Sequence, residues 1–353
     1  MEKNSLNLKP LERMTDDFGL LQHGYFSLPD YRYGYCIDDN ARATWLMARI
    51  INYIDDKSVK TSKTAEKLLR RYLAFMNMAI GDDGKIINFF DVCGNALEEN
   101  GSSDSYARTF LALSYIANNM SREIAAPAAD LLTRLSQNEV NLPPHSLAHY
   151  LLGFTYHKTA SEEKKEHIFK CCEKMHDYFE NSAWNWYLDI MTYDNGRLCE
   201  AAIVAGDRFE LPKLMQSGFK ALDHLIKCTF SQGYFSPIGC HGWYKANGDR
   251  AEFDQQPIEA DSMARALMAT YRITGNHYYI KLITECRDWF YGANILGVSL
   301  VNDEFGGAYD GLTGVGVNLN QGAESNIALV STILSVMELE KEANNYNDEK
   351  IKV

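Results

Sequence analysis

The sequence predicts an all-α fold, two concentric rings of six helices forming an (α/α)6 toroid, and three observations carry that prediction. Apolar helical segments recur down the 353 residues at spacings of roughly forty to seventy residues, the order of helical-hairpin repeats. Six of them begin in a polar or aromatic loop and are apolar nearly all round, and most are followed by an amphipathic helix. No stretch shows the sustained period-two alternation of a sheet. A helix apolar all round is buried and an amphipathic one faces solvent on one side. The apolar six therefore form the inner ring, and the loops leading into them converge on one bowl.

Residues 11–37 are polar and aromatic, a segment too long for a simple connection and of a length that is usually functional. Asp38, Asp39 and Asn40 are N-cap types, and residues 41–53 after them are rich in helix formers. Residues 64–80 carry the stripe Leu68, Leu69, Tyr72, Leu73, Phe75, Met76, Ala79 and Ile80, stopped by Gly81-Asp82-Asp83-Gly84. An extended piece at 86–91 and a turn with a cap at Gly101-Ser102-Ser103-Asp104 precede helices at 106–118 and 122–135. Leu142-Pro143-Pro144-His145-Ser146 opens 147–156, with 162–179 as its amphipathic partner. Residues 187–193 lead to Gly196-Arg197-Leu198-Cys199-Glu200 and an alanine-rich helix to 204, answered by 211–228. A glycine- and aromatic-rich loop over 231–244 precedes Asp254-Gln255-Gln256-Pro257-Ile258-Glu259, which opens 260–271, paired with 277–291. Tyr309-Asp310-Gly311-Leu312 through Glu324 opens the last apolar helix, 325–339. The whole, 1–353, reads as one domain with 1–10 and 341–353 as mobile tails.

With 46% apolar residues and eight prolines the chain can bury a large core. A net charge of −12 and a pI near 5.3 argue against a nucleic-acid partner. The N-terminus has no apolar signal region and no window approaches a membrane span, so a cytoplasmic protein without a membrane partner is expected. Eight cysteines, scattered singly except Cys171-Cys172, show no zinc spacing and read as buried free thiols. Neither a metal cluster nor a phosphate-cradling loop is visible, and no cofactor is expected.

At the bowl gather Asp38, Asp39, Asp104, Asp189, Asp194, Asp254, Glu259, Asp310 and Glu324. Each has an ordinary use. A cap is the commoner role for the Asp38–Asp39 pair and for Asp104; Glu259 fits a capping box with Gln256 equally well; Glu324 can simply compensate a helix dipole. The recurrence of one residue type at one point of the repeat is what suggests chemistry. Carboxylates, aromatic platforms and amides together suit a sugar cleft, where ring faces stack, hydroxyls hydrogen-bond and two carboxyls do acid–base work.

Several long motifs then become informative: Met14-Thr15-Asp16-Asp17-Phe18-Gly19-Leu20-Leu21-Gln22-His23, Gly34-Tyr35-Cys36-Ile37-Asp38-Asp39-Asn40-Ala41-Arg42-Ala43, Asp254-Gln255-Gln256-Pro257-Ile258-Glu259-Ala260, Trp289-Phe290-Tyr291-Gly292-Ala293-Asn294, and Tyr309-Asp310-Gly311-Leu312 with Asn318-Leu319-Asn320-Gln321-Gly322-Ala323-Glu324-Ser325. They resemble a bacterial family of six-hairpin glycosidase-like domains, found alone or as the C-terminal part of some glycosyltransferases. The resemblance spans nearly the whole chain, departing at Phe18, Ile37 and Asn326. It implies the (α/α)6 toroid, carbohydrate chemistry, a mannose-containing oligosaccharide as substrate, and functional association with a glycosyltransferase or mannoside-processing enzyme.

The expected function is an inverting glycoside hydrolase acting on a small oligosaccharide, its two carboxyls roughly 6.5–9.5 Å apart. Glu259 is the expected acid and Asp38 or Asp39 the base, with Glu324 a rival for either role. His23, Asp254, Gln255, Asn320 and Gln321 are expected to hold hydroxyls, Tyr35, Trp243 and Tyr309 to line subsites, and Arg42, His241 and Asp310 to complete the binding set. One alternative is a sugar epimerase or isomerase, which wants a proton-transfer pair from His23, His145 and His241. The other is a glycan-binding domain without chemistry.

Overall fold

A ring of six helices closes on itself in the computed structural model, which describes residues 3–135 and 142–351, the last eight of them by backbone alone. Its members are α2 (Ile37–Tyr53), α4 (Ser103–Asn119), α6 (Pro144–Thr155), α8 (Asn195–Arg208), α10 (Pro257–Thr274) and α12 (Ala323–Ile351). Each packs on the next, and α12 packs back on α2. Outside them lie α3 (Lys60–Ala79), α5 (Arg122–Leu135), α7 (Glu162–Glu180), α9 (Pro212–Thr229) and α11 (Tyr278–Phe290), each on its own inner partner. The short α1 (Lys9–Arg13) packs against α12 and takes the sixth outer place. This is the (α/α)6 toroid that the alternation of patterns predicts.

Burial follows the two patterns. Every residue from Asp194 to Ile203 is buried as α8 begins, whereas α7 buries only Ile168, Cys171, Cys172, Met175 and Phe179, one stripe at helical spacing. Gly196 is required where α8 meets α10. A Cβ there would come 2.2 Å from the carbonyl oxygen of Ser262. All eight cysteines are free thiols, five of them buried and Cys93 exposed. No helix among the described residues is long and apolar enough to cross a membrane.

The helix starts differ from the sequence expectation in an instructive way. α2 begins at Ile37, and its cap is Cys36, whose Sγ accepts from the Asp39 N–H at 3.4 Å. Asp38, Asp39 and Asn40 thus lie inside the first turn. Asn40 instead clamps the preceding loop: its Oδ1 accepts from Leu20 N–H at 3.0 Å and its Nδ2 donates to the carbonyls of Leu20 and Cys36. α4 is likewise capped by Ser102, whose Oγ accepts from Ser105 N–H at 3.0 Å, which leaves the Asp104 carboxylate free for other contacts. α10 has no side-chain cap; Pro257 pre-sets its first turn and Gly275, at φ 65°, ends it.

At the ends, Leu8 and Pro10 are buried, and Asn4 accepts from Arg287 Nη1 at 2.6 Å while donating to Glu340 at 2.7 Å. Residues 3–10, expected as a mobile tail, are therefore docked on α11 and α12. α12 continues as helix past residue 339 to Ile351. Residues 1–2 and 352–353 of the expected tails lie outside the described residues.

Among the described residues, four antiparallel pairs of very short strands trim the loops. β1 (Gly24–Tyr25) pairs β2 (Leu28–Pro29), β3 (Tyr35–Cys36) pairs β4 (Phe89–Phe90), β5 (Ile190–Met191) pairs β6 (Tyr244–Lys245) and β7 (Gly311–Thr313) pairs β8 (Gly316–Asn318). The β5–β6 pair lies beside the loops over the mouth of the ring. It ties the loop before α8 to the loop before α10, so that Tyr193 and Trp243 share one wall.

Candidate active site

The N-terminal ends of the inner helices surround an open cleft of about 380 Å³, lined by Asp38, Arg42, Ser102, Asp104, Arg108, Tyr193, Trp243, Gln256, Ile258 and Glu324. That is the size of a small-ligand site. Three carboxylates reach it from three helices: Asp38 from α2, Asp104 from α4 and Glu324 from α12.

Arginines organise the carboxylates. Arg42 sits within salt-bridge reach of Asp38 (3.6 Å) and Asp39 (3.4 Å) and donates to Glu324 across the α12–α2 seam. Arg108 lies 3.3 Å from Asp38 on one side and 3.1 Å from Asp194 on the other. Both arginines are the sixth residue of their helix, α2 and α4, so each points at the same level of the ring. Asp104 has different partners: it accepts from the hydroxyls of Ser146 and Tyr193.

A second layer of buried charge supports this floor. Asp194, in the left-handed conformation at φ 54°, precedes α8 and accepts from His149 Nε2 at 3.0 Å as well as from Arg108. Burial pushes Asp194 up, but the His149 bond and the charges of Arg197 and Arg42 win and hold it at about 2. Glu259 goes the other way. Burial pushes it to about 8 although it accepts from the Asp194 N–H, from Asn195 N–H at 3.4 Å and from Asn195 Nδ2 at 2.9 Å. Asp39, also buried and held by Cys36 and Arg42, is raised to about 6. Arg197 joins Asp194, Glu200 and Asp261, and Arg265 returns to Glu200 at 3.0 Å. Beneath them the Trp45 ring carries Arg265 at 3.9 Å and Arg197 at 5.1 Å.

Of the residues expected to act, Asp38, Arg42, Trp243 and Glu324 meet in the cleft. Asp39 lies just behind it on Arg42, and Glu259 is 5% exposed, bonded to the start of α8. Several expected sugar contacts have other partners. Tyr35 is 2% exposed and donates to Asp16 at 2.6 Å. Gln255 is fully buried, donating to Ser236 and Glu252 and accepting from Trp289 Nε1 at 2.8 Å. Gln321 accepts from Arg13, and Asn320 accepts from Phe26 N–H at 2.9 Å. Asp310 accepts from Gly322 N–H at 2.6 Å and Ser325 at 2.8 Å, shaping the start of α12, and burial raises its pKa. Asn326 does similar work, binding Ala308 N–H and the carbonyls of Gln321 and Gly322. His23 packs against Tyr33 at 4.6 Å, His241 is exposed, and Asp254 and Tyr309 are half-buried in loops outside the cleft lining.

Arg108, Tyr193 and His149 are the participants that sequence reasoning missed. A signal for Arg108 exists: a lone arginine in the apolar run 106–113 cannot stay buried unpaired, and Asp104 and Asp194 were available partners. Tyr193 follows from the β5–β6 pairing, which nothing local announces.

Two rings of helices with acidic loops over one mouth define the six-hairpin glycosidase-like fold. No protein-family profile matches the chain, and neither does any curated protein sequence. Solved structures do resemble it. A sugar epimerase from a ruminal bacterium superposes with a TM-score of 0.71 at 11% identity, covering 95% of this chain and 97% of its own. Cellobiose 2-epimerase from Bacillus thermoamylovorans gives 0.70 at 11% identity over 93% and 95%. A family 76 α-mannanase from Bacteroides thetaiotaomicron gives 0.64 at 11% identity over 96% and 95%. Likeness at such identities establishes the fold and leaves the reaction to the residues of the cleft.

Proposed function

We propose that the chain is a carbohydrate-active enzyme, an inverting glycoside hydrolase of small oligosaccharides. The observation that carries this reading is a cleft walled by Asp38, Asp104 and Glu324 with Tyr193 and Trp243 beside them, and with no histidine in its lining. Asp38, facing the cleft between Arg42 and Arg108, is the general base for water. Asp104, which reaches the cleft from α4 and accepts from the hydroxyls of Ser146 and Tyr193, is the general acid. Inversion requires these two carboxyls to stand roughly 6.5–9.5 Å apart across the cleft. The acid role thus passes from Glu259, which supports the start of α8, to Asp104. Trp243 and Tyr193 offer faces for sugar rings, and Glu324 and Arg42 hold hydroxyls. Mannose-containing oligosaccharides are the first substrates to try, since an α-mannanase and a D-mannose isomerase both share the fold.

A second reading, epimerase or isomerase, rests on His145, whose ring stacks on Tyr193 at 4.7 Å, one layer behind the cleft wall. Product analysis by chromatography and anomeric NMR separates the two. Wild type, Asp38→Asn, Asp104→Asn and Glu259→Gln are incubated with manno- and gluco-oligosaccharides. Cleavage with inverted anomers, abolished in the Asp38 and Asp104 variants while folding is intact, supports hydrolysis. Epimerised or isomerised sugar without cleavage establishes the second reading, and binding without turnover a glycan-binding domain.

A further inference from the structure

The segment just before α2 exposes an unusual amount of aromatic surface. Tyr25 is 57% exposed, Tyr31 56%, Tyr33 50%, Phe26 47% and Leu28 60%. Scattered exposed apolar residues need no explanation, but five within nine residues of chain form a patch of the kind that marks an interaction site. Within the patch two groups of side chains meet. Tyr25 faces Leu28 across the β1–β2 hairpin and meets Phe26 edge-on at 5.0 Å, while the Arg32 guanidinium lies 5.8 Å from the Tyr33 ring.

It is also held in place. Phe26 N–H donates to Asn320 Oδ1 at 2.9 Å, Asp30 grips Arg32 at 2.8 Å, and Gly24 lies so close to the Gln321 carbonyl that a Cβ would come within 2.8 Å. The same segment touches the cleft wall. Ala323 N–H donates to the Gln22 carbonyl at 2.9 Å, and the next residue is Glu324; at its other end Gln22 N–H donates to Gly34, just before β3 and Asp38. The hairpin therefore spans the starts of α12 and α2, directly outside the Asp38–Arg42–Glu324 cluster.

We infer that this aromatic hairpin is a distal glycan-binding platform, so that the chain takes oligosaccharides extending beyond the cleft. The inference rests on the carbohydrate reading of the cleft. Tyrosines interleaved with the exposed His23 and Arg32 fit a sugar better than they fit a dry protein interface, because ring C–H faces stack on the aromatics while hydroxyls meet the polar groups. Pre-anchoring keeps the ordering cost of binding low.

Calorimetry with α-linked manno-oligosaccharides and β-linked gluco-oligosaccharides of two to six units tests it. The protein is Asp38→Asn, alone and combined with Tyr25→Ala or Tyr31→Ala. Affinity is expected to rise with length in at least one series, and each tyrosine variant to lower the hexasaccharide-to-disaccharide affinity ratio roughly tenfold, a loss of one stacking contact. An unchanged ratio, equal losses at every length, or no binding in either series overturns it. So does sedimentation showing self-association that Tyr25→Ala abolishes. Since the readout is binding, a wild type that cleaves nothing sinks the hydrolase reading and leaves this test intact.

Discussion

The backbone N–H of Asp194 donates into the carboxylate of Glu259, joining the loop before α8 to the first turn of α10. The two acids are neighbours with opposite tendencies. Glu259 is raised to about 8 by burial, and Asp194 is held at about 2 by His149 and arginines. At neutral pH one holds its proton and the other does not. Environment alone divides the roles, as it does wherever paired carboxyls share a site.

Stability should carry the mark of Glu259. Its folded pKa, about 8, exceeds its ordinary 4.5, so between those values the folded chain binds more protons than the unfolded one. Stability contributed by this group is then present at low pH and is lost as pH rises toward 8. Glu259→Gln removes the dependence. Its Tm relative to wild type should climb steadily from pH 5 to pH 8, and a constant offset would show that Glu259 is ionised throughout.

Gly196→Ala puts a methyl group against the Ser262 carbonyl, at 2.2 Å. Backbone cannot yield as a side chain can, so α8 and α10 must part. A loss of about 2–3 kcal/mol is expected from urea midpoints, together with weakened proposed activity because Asn195 and Glu259 separate.

Trp45→Leu should cost about 3 kcal/mol, combining lost aromatic volume with lost cation–π contacts to Arg265 and Arg197. The cleft lining does not include Trp45. Chemical denaturation should therefore report a large shift while KM for a short substrate changes little.

Arg42→Met takes the cation from Asp39 and Glu324, while Asp38 keeps Arg108. Partial exposure of Glu324 moderates the penalty, and a loss of about 3 kcal/mol is expected by denaturation. Arg42→Lys should recover part of it, since an ammonium can satisfy one partner but cannot fork between Asp38 and Glu324.

Helix periodicity made the two rings legible, because burial on all sides and burial on one side leave different patterns in the chain. The mouth of the bowl was legible too, in the recurrence of acids before apolar helices; Asp38, Glu324 and Trp243 all meet there. Individual roles were not. Cap-type residues are ambiguous in sequence, and the caps proved to be Cys36 and Ser102, which releases Asp104 into the cleft. Motif residues such as Gln255 and Asp310 looked like sugar ligands, yet they bind loop backbone and neighbouring side chains. A motif records that a residue is constrained without saying whether by substrate or by fold.

Arg42 and Glu324 stand 282 positions apart in the chain, on the first and last inner helices. During synthesis the residue is made long before its partner, by roughly 15–60 s at ribosomal rates. Asp38 and Asp39 spend that interval without the helix that completes their wall. The cleft is therefore completed late in translation, as α12 arrives, and a nascent chain of five finished hairpins carries Asp38, Asp104, Tyr193 and Trp243 but lacks the wall that Glu324 supplies.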